Sequence, residues 1–511
     1  MPSPTEQSDY SRNRLIQSLL QIGHGDLTPF VVPGALAATA EPELFGRLIA
    51  WNLERGKVWD SKIAFPALAL YSLKENDREL AQNAVAAAMA LAPRRVVKWY
   101  HFLKKLKLIS QMPLTAGVGR EVKDGLELYL AKRELHRGWW QDSVIQDRSA
   151  MRSLYRIRHR RPGDVQNLIL FHNMYPPGST FEVISHLRDM PPDEAAGAIL
   201  KYRIPFLIAI GALRTIKEPD ILLALIERMT GNELVTNSKL LERAGVMANP
   251  ALRGAYEAAL TRAKKSKKVD ALKAGRAAEA LEEQEQCSGG VMAGKLRALQ
   301  AEKTRQLGTI EGDWLVLGDC SSSMKDSIDA ARRIAALIAE RVKGQVHLVF
   351  FSTVPTHIEV TGLTYDQILE KTKRIKAEGN TSIGVGLDFI LSRGDAVQGI
   401  VIVSDGGENR GPLFPEVYHK YAKKFEIEPT VYLFRVAGDP DRVSGACEHA
   451  GIQVDKFEAS SGVDYYSLPN FIEVLKTAKN RYGLLTQIME TPLLTYDKVF
   501  ELKEQYEATV N

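Results

Sequence analysis

The residues of this 511-residue chain best suited to chemistry lie in the run Gly318-Asp319-Cys320-Ser321-Ser322-Ser323-Met324, which carries the spacing Asp-x-Ser-x-Ser. One carboxylate and two hydroxyls are hard oxygen donors, suited to Mg2+, Mn2+ or Ca2+ rather than to zinc. A single carboxylate would hold such an ion weakly. A second carboxylate stands at Asp405 in IVIVSDGG, and Thr381, within AEGNTSIGVGLDFI, offers a further hydroxyl. The competing explanation is a helix cap, a role in which Ser and Asp are both favoured. A cap alone, however, calls for neither Thr381 nor Asp405. A hydrolase is less well supported: GDCSSSM is not Gly-x-Ser-x-Gly, and no histidine stands where sequence alone would place a general base. No catalytic residue is assigned, and Cys320 reads as a small residue at a strand end.

The elements that must position these donors are short β-rich apolar runs, DWLVLGD, VHLVFFST, GIVIVSDG and PTVYLFRVAG, separated by helical text such as DAARRIAALIAERV and IGVGLDFILS. Alternation of this kind specifies a parallel, doubly wound α/β domain. Asp319 and Asp405 each follow such a strand directly. Both therefore belong at the carboxyl edge of the sheet, where open α/β folds bind ligands.

A different chemistry is offered by two basic stretches, Arg94 to Lys107 and Arg148 to Arg161. In the second, DRSAMRSLYRIRHRRP, a helix places Arg152, Tyr155, Arg156, His159 and Arg160 on adjoining faces. This pairs phosphate-binding charge with stackable rings, as RNA recognition requires. A solvated charged face is the plainer explanation and stays open. Trp139 and Trp140 read as core anchors at a helix end. His172 is either a buried helix residue or a polar contact.

The text around these stretches is helical throughout. From about Glu41 to Ser110, PELFGRLIAWNLER, SKIAFPALALYSLK, ELAQNAVAAAMALA and RRVVKWYHFLKKLKLI each carry apolar residues at helical spacing. Helices of similar length joined by short polar turns are what a HEAT-like stack of helix pairs produces. The first 265 residues therefore read as all-α, and the charged stretch 266–310 as a helical connector.

Composition sets the outer limits. With 45% hydrophobic and 25% charged residues the chain reads as globular, and its length implies two or three domains. Cys287, Cys320 and Cys447 are spaced for neither a disulfide framework nor a zinc site, which points to a reducing, cytoplasmic setting. No apolar run suits a signal peptide or a membrane span. The net charge of +5 divides unevenly: residues after 310 sum to roughly −7 and the first 310 to roughly +12, as in a polyanion-binding module joined to an acidic one.

The region from about Asp313 to Gly483 resembles the von Willebrand factor A domains, and Asp319, Ser321, Ser323, Thr381 and Asp405 resemble their metal-ion-dependent adhesion site. Asn380 stands where many members of that family have glycine. The resemblance implies that Ser321 and Ser323 bind the metal directly, Thr381 directly or through water, and Asp319 and Asp405 largely through water. One position would stay open for an acidic side chain of a partner protein.

A helical array followed by an A domain, with GVGREVKDGLELYL and then SLYRIRHRRPGDVQNLILFHNMYP, resembles the Ro family, whose helical module is named TROVE. IPFLIAIGALRTI and LLERAGVMANPALRGAYEAALTRAK are similar to that module's last helices. The resemblance implies an all-α HEAT-like ring over 1–265, the connector 266–310, an A domain over 311–490 and a C-terminal tail 491–511. It implies RNA contacts at Arg120, Tyr155, Arg156, Arg158 and His172. It also implies a non-enzymatic, monomeric cytoplasmic protein that binds noncoding Y RNA outside the ring and takes single-stranded ends of misfolded RNA into its hole. The setting would be RNA quality control, with an exoribonuclease as a possible partner and no membrane. The rival is a metal-dependent adaptor working with an AAA+ ATPase.

Overall fold

The computed structural model describes residues 31–501 except 57, 74–76, 111–115, 267–268, 270, 283–288, 306–308, 437–439 and 459–482, together with Arg12, Leu15, Ile16, Leu19 and Leu27. Cys287 lies outside the described residues. The chain forms two compact units that interleave along the sequence: residues 1–91, 98–125 and 308–511 make one, and 92–97 and 126–307 the other. Among the described residues, no helix is long and apolar enough to cross a membrane.

In the first unit, α1 (Val31–Ala40), α2 (Pro42–Arg55), α3 (Trp59–Ser72), α4 (Arg78–Met89) and the unit's share of α5 (Pro93–Ser110) and α6 (Ala116–Leu135) follow one another closely. The small residues of α4, Ala81, Ala84 to Ala88 among them, are almost fully buried and let its neighbours approach closely. The same unit contains the sheet of β1 (Trp314–Asp319), β2 (Val346–Phe351), β3 (Pro355–Glu359), β4 (Gly399–Ser404), β5 (Thr430–Arg435) and β6 (Val454–Glu458). Strand order is β3-β2-β1-β4-β5-β6, parallel except for antiparallel β3 at one edge. Every residue of β1, β2 and β4 is buried, as expected when helices cover both faces of a parallel sheet. The edge strands β3 and β6 go beyond the four runs legible in the sequence.

The segment expected as a C-terminal tail is instead packed. Leu494, Val499 and Phe500 are buried, the Leu494 amide donates to buried Asn83 of α4 at 2.8 Å, and the Tyr496 hydroxyl bonds the Glu121 carboxylate at 2.9 Å. Arg47 of α2 donates to the carbonyls of Met489 and Thr491. Apolar side chains at intervals of a few residues made this packing possible.

The second unit is wholly helical. It takes the remainder of α5 and α6, then α7 (Arg137–Arg158), α8 (Asp164–Asn167), α9 (Thr180–His186), α10 (Pro192–Lys201), α11 (Phe206–Ala212), α12 (Pro219–Arg228), α13 (Gly231–Thr236), α14 (Ser238–Arg243), α15 (Pro250–Lys265), α16 (Ala271–Glu282) and α17 (Gly289–Arg305). The stretch expected as a connector is a helical hairpin, α16 and α17. Its residues Ala274, Ala278, Leu281, Leu296 and Leu299 share one core with Ile221, Leu225 and Tyr256. Most of its charges are half-exposed, and Lys303 is buried, its ammonium donating to the Ser266 carbonyl at 2.6 Å; composition alone read the stretch as a linker.

Candidate metal centre and basic surface

The sheet order reverses between β1 and β4: the chain leaves β1 toward β2 on one side and returns to β4 on the other. Ligand sites of doubly wound sheets form at such a switch point, and Asp319 ends β1 while Asp405 follows β4. Asp319, Ser321, Thr381 and Asp405 are buried, whereas Ser323 is exposed. Ser404, which the sequence reading passed over, links the carboxylates. Its hydroxyl donates to Oδ2 of Asp319 at 2.6 Å and lies 3.4 Å from Oδ1 of Asp405. The Ser321 amide donates to the other Asp319 oxygen at 2.8 Å, and the Gly407 amide to Asp405 at 2.8 Å.

Backbone hydrogen bonds tie the three loops together. The Glu378 amide donates to the Cys320 carbonyl at 2.7 Å and the Ser322 amide to the Gly379 carbonyl at 3.3 Å. Thr381 is held from the third loop: its amide donates to Asn409 Oδ1, and its carbonyl accepts from the amides of Asn409 and Arg410. Glu408 then accepts from the amides of Ile383 and Gly384, capping α20 (Ile383–Arg393), while α18 (Lys325–Ala339) follows the first loop. Asn409 and Glu408 are thus positioning residues, and their only sequence signal was their place just after the second Asp.

Burial pushes the Asp319 carboxyl above its ordinary value, and the nearby Asp405 adds to this, against the hydrogen bonds from Ser404 and Ser321. Two buried carboxylates that meet through one hydroxyl favour a cation between them. Among the described residues no group of three or more His, Cys, Asp and Glu side chains is arranged to hold a metal ion, so a cation here would draw on the hydroxyls of Ser321, Ser323 and Thr381. That donor set is all oxygen and fits Mg2+, Mn2+ or Ca2+. Cys320, its thiol pushed up to about 11 by burial, bonds the Phe351 carbonyl and is a packing residue.

The basic stretch divides into structural and exposed cations. Helix α7 breaks at Asp147, whose carboxylate accepts from the Ala150 amide and restarts the helix as an N-cap. From there the helix runs to His159, which closes it at φ 51°. Tyr155 is 1% exposed. Its hydroxyl donates to Glu134 at 2.7 Å and accepts from Trp140 Nε1 at 3.1 Å. This corrects the expectation of a stacking ring: Tyr155 is a core residue that no base can reach. Arg158 pairs with Glu127, and Arg160 with both Glu127 and Glu134, so these two cations are largely neutralised by α6. Trp140 is buried, as a core anchor should be.

Arg148 and Arg152 donate to the Leu170 carbonyl of a π-helical turn, Leu168–His172. Such turns leave carbonyls without helical partners and recur at functional sites. Arg156, His159, Arg161 and His172 remain exposed; His172 belongs to that turn, and the Arg156 guanidinium lies 5.7 Å from its Phe171 ring. Arg120 is also exposed, but it belongs to the first unit.

No family model matches the chain, and no curated protein is similar to it in sequence. Among solved structures, the conserved hypothetical protein BatB from Bacteroides thetaiotaomicron matches 34% of this chain and 99% of its own at 16% identity, with a TM-score of 0.24 that supports no argument. The Ro (Rsr) protein of Deinococcus radiodurans matches 91% of this chain and 99% of its own, at 15% identity and TM-score 0.61. The chain, an all-α helical part followed by an α/β domain of the doubly wound type, has the fold of a Ro protein.

Proposed function

We propose that the protein binds RNA in the manner of the Ro family. It would take small structured noncoding RNA of the Y RNA type and the single-stranded ends of misfolded RNA, serve RNA quality control in the cytoplasm, and carry out no reaction itself. The observation that carries this reading is the exposed set Arg156, His159, Arg161 and His172 at and beyond the end of α7, in a chain with the Ro fold. The helical part also carries the chain's positive charge. Capture is electrostatic, so affinity falls steeply as salt rises and depends weakly on base sequence.

In the same reading the loops after β1 and β4 hold Mg2+, with Asp319, Ser321, Ser323, Thr381 and Asp405 around it. When bound, the cation supplies an open coordination position for an oxygen of an acidic partner, an exoribonuclease being one possibility. The test is sequencing of RNA crosslinked to the protein in its native cells, alongside a salt titration in vitro. Enrichment of one small structured RNA supports the reading, and background RNA alone rejects it.

The convergence of the three loops favours a second reading, a metal-dependent adaptor whose helices only scaffold the α/β domain. Nuclease treatment separates the two, since an adaptor keeps its partners when RNA is digested. Asp319→Ala extends the test: it should abolish metal-dependent docking with RNA affinity nearly unchanged.

A further inference from the structure

Each of the three loops at the metal centre carries an exposed cation at its rim. Lys325 follows the first loop, Lys376 leads into the second, and Arg410 lies on the third. Arg374 and Lys371 are exposed just before Lys376. Among the described residues none of these five is in an ion pair, although the part of the chain after residue 310 is acidic overall. Their placement is fixed. Arg332 of α18 donates to the Thr372 carbonyl at 2.7 Å and so holds the 371–376 stretch beside the helix that begins at Lys325. The Glu378 amide then anchors the following loop on Cys320, and the Arg410 amide donates to Thr381.

Two apolar residues share this rim. Val354 is 67% exposed, on a loop whose Ser352 carbonyl accepts from the Ser382 amide at 2.8 Å. Leu413 is 39% exposed and directly precedes Phe414, whose amide donates to Glu408. An aliphatic side chain exposed beside unpaired cations calls for a partner that brings both kinds of group.

We propose that this rim docks a short peptide segment in which acidic and aliphatic residues alternate. One carboxylate reaches the cation, neighbouring carboxylates pair with Lys325, Lys376 and Arg410, and an aliphatic side chain covers Val354 and Leu413. The proposal rests on the metal reading given above. A phosphodiester chain suits the rim less well, since it has no aliphatic group for Val354 and Leu413.

The test uses the full chain and three fluorescent probes: a peptide of alternating Glu and Leu, an oligo-Glu peptide of equal length, and a short single-stranded oligouridylate. Binding is read by fluorescence polarisation in Mg2+ and after EDTA, and Mn2+ binding separately by electron paramagnetic resonance. The Glu-Leu peptide should bind only with metal, and oligo-Glu about 5-fold more weakly for want of apolar burial. Lys325→Ala, Lys376→Ala and Arg410→Ala combined should weaken the Glu-Leu peptide about 10-fold while Mn2+ binds as before. Retention of the peptide by that triple variant overturns the proposal, as does metal-dependent binding of the oligouridylate in its place, or Mn2+ binding with no peptide bound. Failure of Mn2+ itself to bind removes the metal reading and the proposal with it.

Discussion

Ser404 carries a hydrogen bond from the end of β4 to the end of β1, its hydroxyl 2.6 Å from Oδ2 of Asp319. Both residues are fully buried, so the bond is shielded from water and sets the carboxylate's orientation. Ser404→Ala leaves the proposed metal donors in place and removes the group that aims one of them. Mn2+ affinity should fall about 10-fold, in line with losses of outer-shell partners elsewhere. Unchanged affinity in an equilibrium titration would show that Asp319 needs no such help.

Tyr155 and Arg160 are predicted to matter for stability and not for RNA. Tyr155→Phe strands the buried Trp140 Nε1 donor and leaves the Glu134 Oε1 to Arg160 alone, and should cost about 2 kcal/mol in chemical denaturation. RNA affinity of the folded variant should not change. A loss of RNA binding without loss of stability would return Tyr155 to the interface.

Arg156 and Arg161 are the cations to reverse instead. Arg156 packs on the Phe171 ring, and the Arg161 pair with Asp164 is exposed on both sides, 78% and 90%, so it adds little to stability. Arg156→Glu with Arg161→Glu should weaken RNA binding at least about 10-fold and lower the salt slope by about 2. An unaltered slope would mean that these residues do not meet phosphate.

Acid should weaken the sheet edge through a histidine pair. His347 Nδ1 of β2 lies 3.1 Å from His357 Nε2 of β3. Burial holds both imidazoles below their ordinary value, with Asp395 and Glu359 opposing this and Arg393 reinforcing it; for His357 the neighbouring His347 reinforces it too. The unfolded chain therefore takes up protons that the folded chain refuses. Their contribution to stability is full above the unfolded value, about 6.5, and is lost as pH falls through it. Thermal unfolding followed from about pH 7.5 to 5.5 should show this decline, and His357→Gln should flatten it. An equally steep decline in the variant would place the acid sensitivity elsewhere.

The sheet and the loops that carry Asp319 and Asp405 at its edge were legible because each step is local. Continuous Val, Ile and Leu runs mark buried parallel strands, and an Asp directly after such a run can only stand at one edge. Ser404 and Asn409 were not legible, since a buried Ser or Asn has no local signature and their partners are distant in sequence. Tyr155 illustrates the same limit. Spacing placed it beside Arg152, Arg156 and His159, yet Glu134, which draws the ring inward, belongs to the preceding helix, 21 residues earlier. The α16–α17 hairpin was read as a connector on composition, which reports charge and not the contacts that the remaining apolar residues make, and the resemblance gave no sign that the segment around Leu494 packs.

The bond between Asn83 and the Leu494 amide spans 411 residues, and during synthesis that separation becomes a delay. At about 5–20 residues per second, roughly 20–80 s pass between the emergence of Asn83 and that of Leu494. For that interval α2, α4 and α6 present an uncovered seat to the cell while the wholly helical second unit, synthesised in between, is free to fold. The first unit is thus finished after the second, and a ribosome stalled before Leu494 would hold a chain whose second unit is complete and whose first unit still lacks this cover.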